Sequence, residues 1–339
     1  MRFVPLVRLF WVHPFLQFFR RAGAPVARYL TEAGLPPEVD QNLDLAFPSR
    51  PLYGVIDRLV RESGRHDVGL TIGNRTRIRS LGSFGHQLVG QATLGNAIAT
   101  ARELMPSVHA ARQLHLSTSG GLACLSSWLK PGQLAPTPWD DQLTLSLLID
   151  LVRRAAGPRW LPDQAAIQAR LPRQRPGAPG LDGVVLRDGA GATAIQFPRS
   201  LLSCPLASAR GRVLERAAER RPDGDLDALP TDLVGCLQVT LDALVTSGKA
   251  DIRTLAHVVG SSVRTLSRRL SDHGWTFREL LDQSRFALAH RRLTDTSAKV
   301  LDIALEAGYS DQAHFVRAFR RWTGHSPVAY RSAQSAEAA

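Results

Sequence analysis

The spacing of apolar residues gives this chain three successive textures. The first hundred residues are helical in period. Ala24–Ala33 has Pro25 in its first turn and stops at Gly34, as a short helix does. Leu52, Val55, Ile56, Leu59 and Val60 recur at i, i+3, i+4, i+7 and i+8, behind Ser49 as cap and Pro51 in the first turn. Leu94, Ala97, Ile98, Ala101 and Leu104 form a second stripe, with Thr93 as its cap. The period then shortens. Arg112–Thr118 and Leu122–Leu129 alternate around Ser119-Gly120-Gly121, which predicts a hairpin. Trp139–Ala156 returns to helical period, burying Leu143, Leu147, Leu148, Leu151 and Val152. Ala165–Leu171, Val184–Arg187 and Ala192–Phe197 are short apolar runs broken by Pro and Gly, expected as small or edge strands.

Beyond residue 206 the pattern changes again. Residues 207–231, with Arg220-Arg221-Pro222-Asp223-Gly224-Asp225 at their heart, are charged and apolar-poor and predict a linker. Residues 232–332 are helical throughout, and 333–339 are expected as a disordered tail. Gly248, Gly260, Gly274, Gly308 and Gly324 stand where helices should stop; Asp251, Ser262, Thr276 and Ser310 stand where they should start. Thr276-Phe277-Arg278-Glu279 is a capping box opening a long helix from Phe277 to about Leu293. The fold class is therefore an α+β N-terminal domain with a small sheet, followed by an all-α domain.

The helical domain repeats itself. Ala256, Gly260 and Ser262 recur 48 positions later as Ala304, Gly308 and Ser310. After a one-residue slip, Leu266, Arg268 and Leu270 recur as Phe315, Arg317 and Phe319. Each copy reads as a helix-turn-helix: a small residue for close helix contact, a glycine for the tight turn and a hydroxyl to cap the second helix. The two units flank the long helix, so one chain can present two helices to successive turns of a DNA major groove. The outward residues are Arg264, Thr265, Ser267 and Arg268 in the first unit, and Asp311, Gln312, Ala313, His314 and Arg317 in the second. Arginine matches a guanine edge and glutamine an adenine edge in bidentate fashion. Arg264, Ser267, Arg268, Gln312, His314 and Arg317 are therefore assigned to bases. Ser262, Thr265, Arg269, Ser310, Arg320 and Arg321 are assigned to phosphates, with Arg285, Arg291, Arg292 and Arg331 as further phosphate candidates.

Charge supports a polyanionic partner without locating it. The formal charge is +12, and Lys249–Arg331 holds 14 basic against 8 acidic residues, yet residues 1–248 are basic too, with 28 against 21. The three cysteines, Cys124, Cys204 and Cys236, have no zinc spacing and no disulfide arithmetic, which fits a reducing cytoplasm. Met1–Phe19 is apolar but interrupted by Arg2, Arg8 and His13, so it reads as helix or core; no stretch is long enough to span a membrane. No phosphate-binding Gly-Lys-Ser loop, His-Glu-x-x-His or Gly-x-Ser-x-Gly elbow is present, so no enzyme, metal or cofactor is read. Histidines 86, 109 and 115 read as hydrogen-bonded residues. Trp128, Lys130, Trp139 and Trp160 are candidates for an effector pocket, against core packing as the simpler reading. Arg153, Arg154, Arg159, Arg170, Arg173 and Arg175 are candidates for an anionic effector, against simple solvation.

The stretch from Asp302 to Pro327, with Ile303-Ala304-Leu305-Glu306-Ala307-Gly308-Tyr309-Ser310 and Phe315-Val316-Arg317-Ala318-Phe319-Arg320-Arg321-Trp322, resembles the DNA-binding domain of AraC/XylS-type bacterial transcription regulators. One departure is Ala307-Gly308-Tyr309, where the family more often has Leu-Gly-Phe; Tyr309 is expected to pack all the same. Ala27-Arg28-Tyr29-Leu30, Val68-Gly69-Leu70-Thr71-Ile72-Gly73, Leu81-Gly82-Ser83-Phe84-Gly85 and Ala92–Ala97 resemble the arabinose-binding type of regulatory domain of these proteins. The resemblance implies an effector-binding domain over 1–206 and a DNA-binding domain over 232–332. It implies double-stranded DNA and a small molecule of unidentified class as partners, pairing of subunits, and RNA polymerase as partner of an activator. It does not imply that arabinose is the ligand. The rival reading is a sequence-blind architectural DNA-binding protein.

Overall fold

The computed structural model describes residues 4–39, 42–171, 178–206, 226–295 and 297–337. Most of the expected linker, residues 207–225, and Arg173 and Arg175 lie outside these residues. The apolar N-terminus is both strand and helix. Strand β1 (Leu6–Arg8) leads into α1 (Leu9–Arg21), which buries Phe10, Trp11, Phe15, Leu16 and Phe19. Helix α2 (Val26–Glu32) follows and stops before Gly34. Strand β2 (Ala46–Pro48) pairs antiparallel with β1 and runs straight into α3 (Ser49–Ser63), whose stripe Leu52, Val55, Ile56 and Leu59 is buried. Ser49 does not cap that helix. It lies inside the first turn, and its hydroxyl donates instead to the Pro5 carbonyl at 2.8 Å, tying the helix start to the strand pair.

Helices α4 (Val68–Gly73), α5 (Gly82–Val89) and α6 (Leu94–Val108) complete the helical layer, and Thr93 caps α6 by accepting the Asn96 amide. The hairpin is formed by β3 (Arg112–Ser119) and β4 (Leu122–Leu129), with Gly120 and Gly121 both at positive φ, the twist-matched two-residue turn. Helix α7 (Pro138–Ala156) is buried along most of its length. It crosses α4 at very short range: a Cβ on Gly69 would lie 2.1 Å from the Trp139 carbonyl oxygen, and one on Gly73 would lie 2.4 Å from the Ser146 side chain. Strands β5 (Gln164–Ala166), β6 (Val185–Arg187) and β7 (Thr193–Pro198) finish a five-stranded sheet of order β3-β4-β7-β5-β6. β7 is central rather than an edge. Its Thr193, Ile195 and Phe197 alternate into the core, and Pro198 falls at the strand end. Of Ala165–Leu171 only the first two residues are strand.

The C-terminal helices are α8 (Leu233–Thr246), α9 (Ile252–Val258), α10 (Val263–Asp272), α11 (Phe277–Asp295), α12 (Val300–Glu306), α13 (Gln312–Thr323) and α14 (Pro327–Glu337). The last carries helical backbone into the segment expected as a tail. Packing divides this half differently from sequence. Leu237, Leu241, Leu255, Leu266, Leu270 and Leu280 join one core continuous with the N-terminal domain. Leu288, Leu293, Ile303, Phe315 and Phe319 form a second core of their own. The first helix-turn-helix is thus fused to the N-terminal domain, and the second hangs from the far end of α11. No helix among the described residues is long and apolar enough to cross a membrane.

Candidate nucleic-acid interface

In the first unit, α9 buries Leu255, Ala256 and Val258, and α10 answers with Leu266 and Leu270. Gly260 turns the chain between them at φ 64°, a conformation that strains any residue bearing a Cβ. Ser262 caps α10 as the spacing predicts: its oxygen accepts the Thr265 amide at 3.1 Å, and its hydroxyl lies 2.9 Å from that of Thr265. Thr265 is therefore half-buried and engaged at the cap rather than facing outward. Arg264, Ser267 and Arg268 are exposed, and Arg269 is half-buried.

The second unit differs at its cap. Gly308, at φ 76°, makes the turn, but Asp311 and not Ser310 is the N-cap of α13. Asp311 accepts the His314 amide, and Ser310 only donates to the Asp311 carboxylate at 3.2 Å. A carboxylate gives a stronger acceptor than a hydroxyl beside the partial positive charge of a helix start. Asp311 is thereby engaged at the cap while its side chain stays partly exposed. Gln312, Ala313, His314, Arg317, Arg320 and Arg321 are exposed, while Phe315, Ala318 and Phe319 anchor the helix. Tyr309 packs as expected, edge-on to Phe315 with ring centroids 5.6 Å apart. Burial raises its hydroxyl pKa.

Several arginines assigned to phosphates do structural work instead. Arg285 stacks over the Tyr309 ring at 4.6 Å and donates to the Gly308 carbonyl at 3.1 Å, clasping the second turn to α11. Arg292 grips Glu306 with two bonds of 2.5 and 2.6 Å, and this pairing holds the Glu306 carboxyl below its usual range. Arg331 donates to the Ala298 carbonyl at 2.6 Å. Arg321 reaches Asp282 at 2.9 Å and stays exposed. Sequence spacing marks these as surface cations but carries no sign of their partners, which come from other helices and from the turns and loops between them. The capping box forms: Glu279 accepts the Thr276 hydroxyl and amide, which lowers its pKa.

The proposed effector residues do not converge. Trp139 is core, donating to Asp57 at 2.6 Å and packed against Phe15 and Tyr53. Lys130 Nζ reaches the Ala110 carbonyl at 3.3 Å, and Arg153 donates to the Trp160 carbonyl at 2.8 Å. Sequence reasoning also missed a contact between the two halves: His257 of α9 lies with Nε2 3.1 Å from the Glu32 carbonyl oxygen.

Both halves of the chain match described protein families. Residues 255–333 match a helix-turn-helix domain family, and residues 23–206 match the family described as the arabinose-binding domain of AraC transcription regulator, N-terminal. The chain is 26% identical over 271 residues to the ornithine utilization regulator of Pseudomonas aeruginosa, covering 80% of each protein. It is 32% identical over 139 residues to the HTH-type transcriptional regulator VqsM of the same organism, covering 40% of this chain and 42% of that one. The crystal structure of the transcriptional regulator CdpR from Pseudomonas aeruginosa aligns over 93% of this chain and 98% of its own, at 22% identity and a TM-score of 0.36. Two capped helix-turn-helix units behind a matched N-terminal domain make the assignment: the chain belongs to the AraC family of DNA-binding transcription regulators.

Proposed function

We propose that this protein is a cytoplasmic, effector-responsive regulator that recognises an operator sequence with both helix-turn-helix units. The carrying observation is a division of labour among cations. Arg285, Arg292 and Arg331 are consumed in holding the second unit to its neighbours, while Arg264, Arg268 and Arg317 stay exposed on the two capped helices. Arg264, Ser267, Arg268, Gln312, His314 and Arg317 are the base-reading set. Arg269, Arg320 and Arg321, the last still exposed beside Asp282, set the frame against phosphates with Ser262 and Ser310 at the helix starts, while Thr265 is spent on the Ser262 cap. Helix α11, at 19 residues, is about 28 Å long, on the scale of the ~34 Å between successive major-groove faces.

The N-terminal domain would bind a small molecule and pair subunits, and RNA polymerase would be the partner if transcription is activated. Effector binding alters operator occupancy only by favouring one arrangement of the two DNA-binding domains over another. Fluorescence-anisotropy titration of the protein's own promoter region against random duplex, at one fixed salt concentration, tests this. Operator affinity at least about a thousandfold above random DNA supports the reading. Equal affinities would instead mark a sequence-blind architectural protein.

A further inference from the structure

We propose that the cavity between the N-terminal domain and the first helix-turn-helix is a binding site for an apolar small molecule carrying one anionic group. This assigns the effector site of the function proposed above, and rests on that reading for its regulatory consequence. The cavity has a volume of about 550 Å³, within the range of small-molecule pockets. One wall is α2 and α3; the other is the end of α9 and its turn, Val258, Val259 and Gly260.

The ligand class follows from two features of the lining. Gly54 sits in the interior of α3 with ordinary helical backbone, is exposed, and faces this cavity. A Cβ built there would meet nothing within 4 Å. Glycine inside a helix is destabilising relative to alanine, and nothing in the fold requires it here. The space it leaves is open to an occupant of the cavity. The second feature is charge. Arg58 lies over the Tyr29 ring at 3.7 Å and pairs with both Glu32 and Glu62, so its charge is matched. Arg50 lines the same cavity, and among the described residues it has no carboxylate partner; its bond is to the Gln133 carbonyl at 3.4 Å. Apolar walls with one unmatched cation at the rim select an apolar body bearing a single negative charge. A molecule touching both walls bridges the His257–Glu32 contact and so favours the docked arrangement of the first unit.

The test uses full-length protein and two fluorescent probes, the anionic 1-anilinonaphthalene-8-sulfonate and the neutral N-phenyl-1-naphthylamine. The anionic probe should bind wild type saturably at one site. Gly54→Leu should fold with a Tm at or above that of wild type and bind both probes at least about tenfold more weakly. Should Gly54→Leu not fold, Gly54→Ala keeps the test open, with a raised Tm and a severalfold loss. Arg50→Gln should weaken the anionic probe alone. Unchanged binding in folded Gly54 variants, or equal loss of both probes in Arg50→Gln, would overturn the proposal. Anisotropy with operator DNA separates the two readings. A wild type that discriminates operator from random DNA, but whose affinity the bound probe leaves untouched, sinks the regulatory role of this cavity and spares the operator reading.

Discussion

Asp311 accepts the backbone amide of His314 at 2.8 Å with one carboxylate oxygen and holds the same residue's imidazole Nδ1 at 2.5 Å with the other. One side chain thus fixes both the start of α13 and the direction of a base-reading candidate. With Nδ1 occupied, Nε2 is the atom left to face DNA.

The amide bond, then the imidazole, holds the Asp311 carboxyl down at about 2. A carboxyl whose folded pKa is depressed contributes above its unfolded value of ~3.9 and loses that contribution as pH falls towards the folded one. Between pH 5 and 8 the Asp311 carboxylate should therefore stay ionised and keep its acceptor for the His314 amide. Asp311→Ala should weaken operator binding severalfold at pH 7, Asp311→Asn less, because an amide oxygen still accepts the His314 amide. Helicity followed by circular dichroism from pH 5 to pH 2 should fall in wild type by more than in Asp311→Asn. Identical acid curves would remove the carboxylate from the account.

The exposed arginines divide by role. Arg268→Ala and Arg317→Ala should cost about tenfold to a hundredfold on operator DNA and far less on random duplex. Arg320→Ala should weaken both equally and reduce the slope of log affinity against log salt by about one. Anisotropy at four salt concentrations on both duplexes reads all three. A uniform loss for Arg268→Ala would move that residue to the phosphates.

What could be read from sequence was what depends on near neighbours. Thr93, Ser262 and the Thr276–Glu279 box cap their helices because a cap needs only the next three residues, and Gly120-Gly121 turns the hairpin for the same reason. Ser310 and Asp311 stand side by side, each chemically able to cap, and only the path of the chain into α13 selects between them. Arg285, Arg292 and Arg331 look alike in sequence, yet their partners Gly308, Glu306 and Ala298 lie 14 to 33 residues away. Neither the central place of β7 nor the fusion of the first unit with the N-terminal core leaves a local trace, since both depend on which surfaces meet.

That fused seam is tight at Gly34. Its φ is 75°, and a Cβ there would lie 2.5 Å from His257 Cδ2. Gly34→Ala should therefore destabilise in two ways, by about 1–2 kcal/mol from left-handed backbone and by further displacement of His257. His257→Ala removes the closest clash, leaving Val258 Cγ2 at 3.1 Å, and also removes the contact with Glu32. In a double-mutant cycle by urea denaturation, the pair should be coupled by more than about 0.5 kcal/mol, with Gly34→Ala milder in the His257→Ala background. Additive effects would mean that the seam yields freely at this point.

Deeper in the N-terminal domain, His109 is fully buried beside the Arg112–Asp140 ion pair, with Nε2 2.9 Å from the Tyr53 hydroxyl and Trp11 edge-on at 6.0 Å. Burial, and then the Arg112 charge, push its pKa down to about 3, against the opposing pull of Asp140. The native imidazole is thus neutral where the unfolded one, with a pKa of ~6.5, takes up a proton. Stability should be full above pH 6.5 and should erode as pH falls towards 3, with a limiting slope of about 1.4 kcal/mol per pH step. His109→Gln should be less stable at pH 7.5 but should change less between pH 7.5 and 5. Urea melts at pH 7.5, 6.5 and 5.5 measure both. Parallel pH dependences in variant and wild type would show that acid sensitivity arises elsewhere, because no other change separates the two proteins.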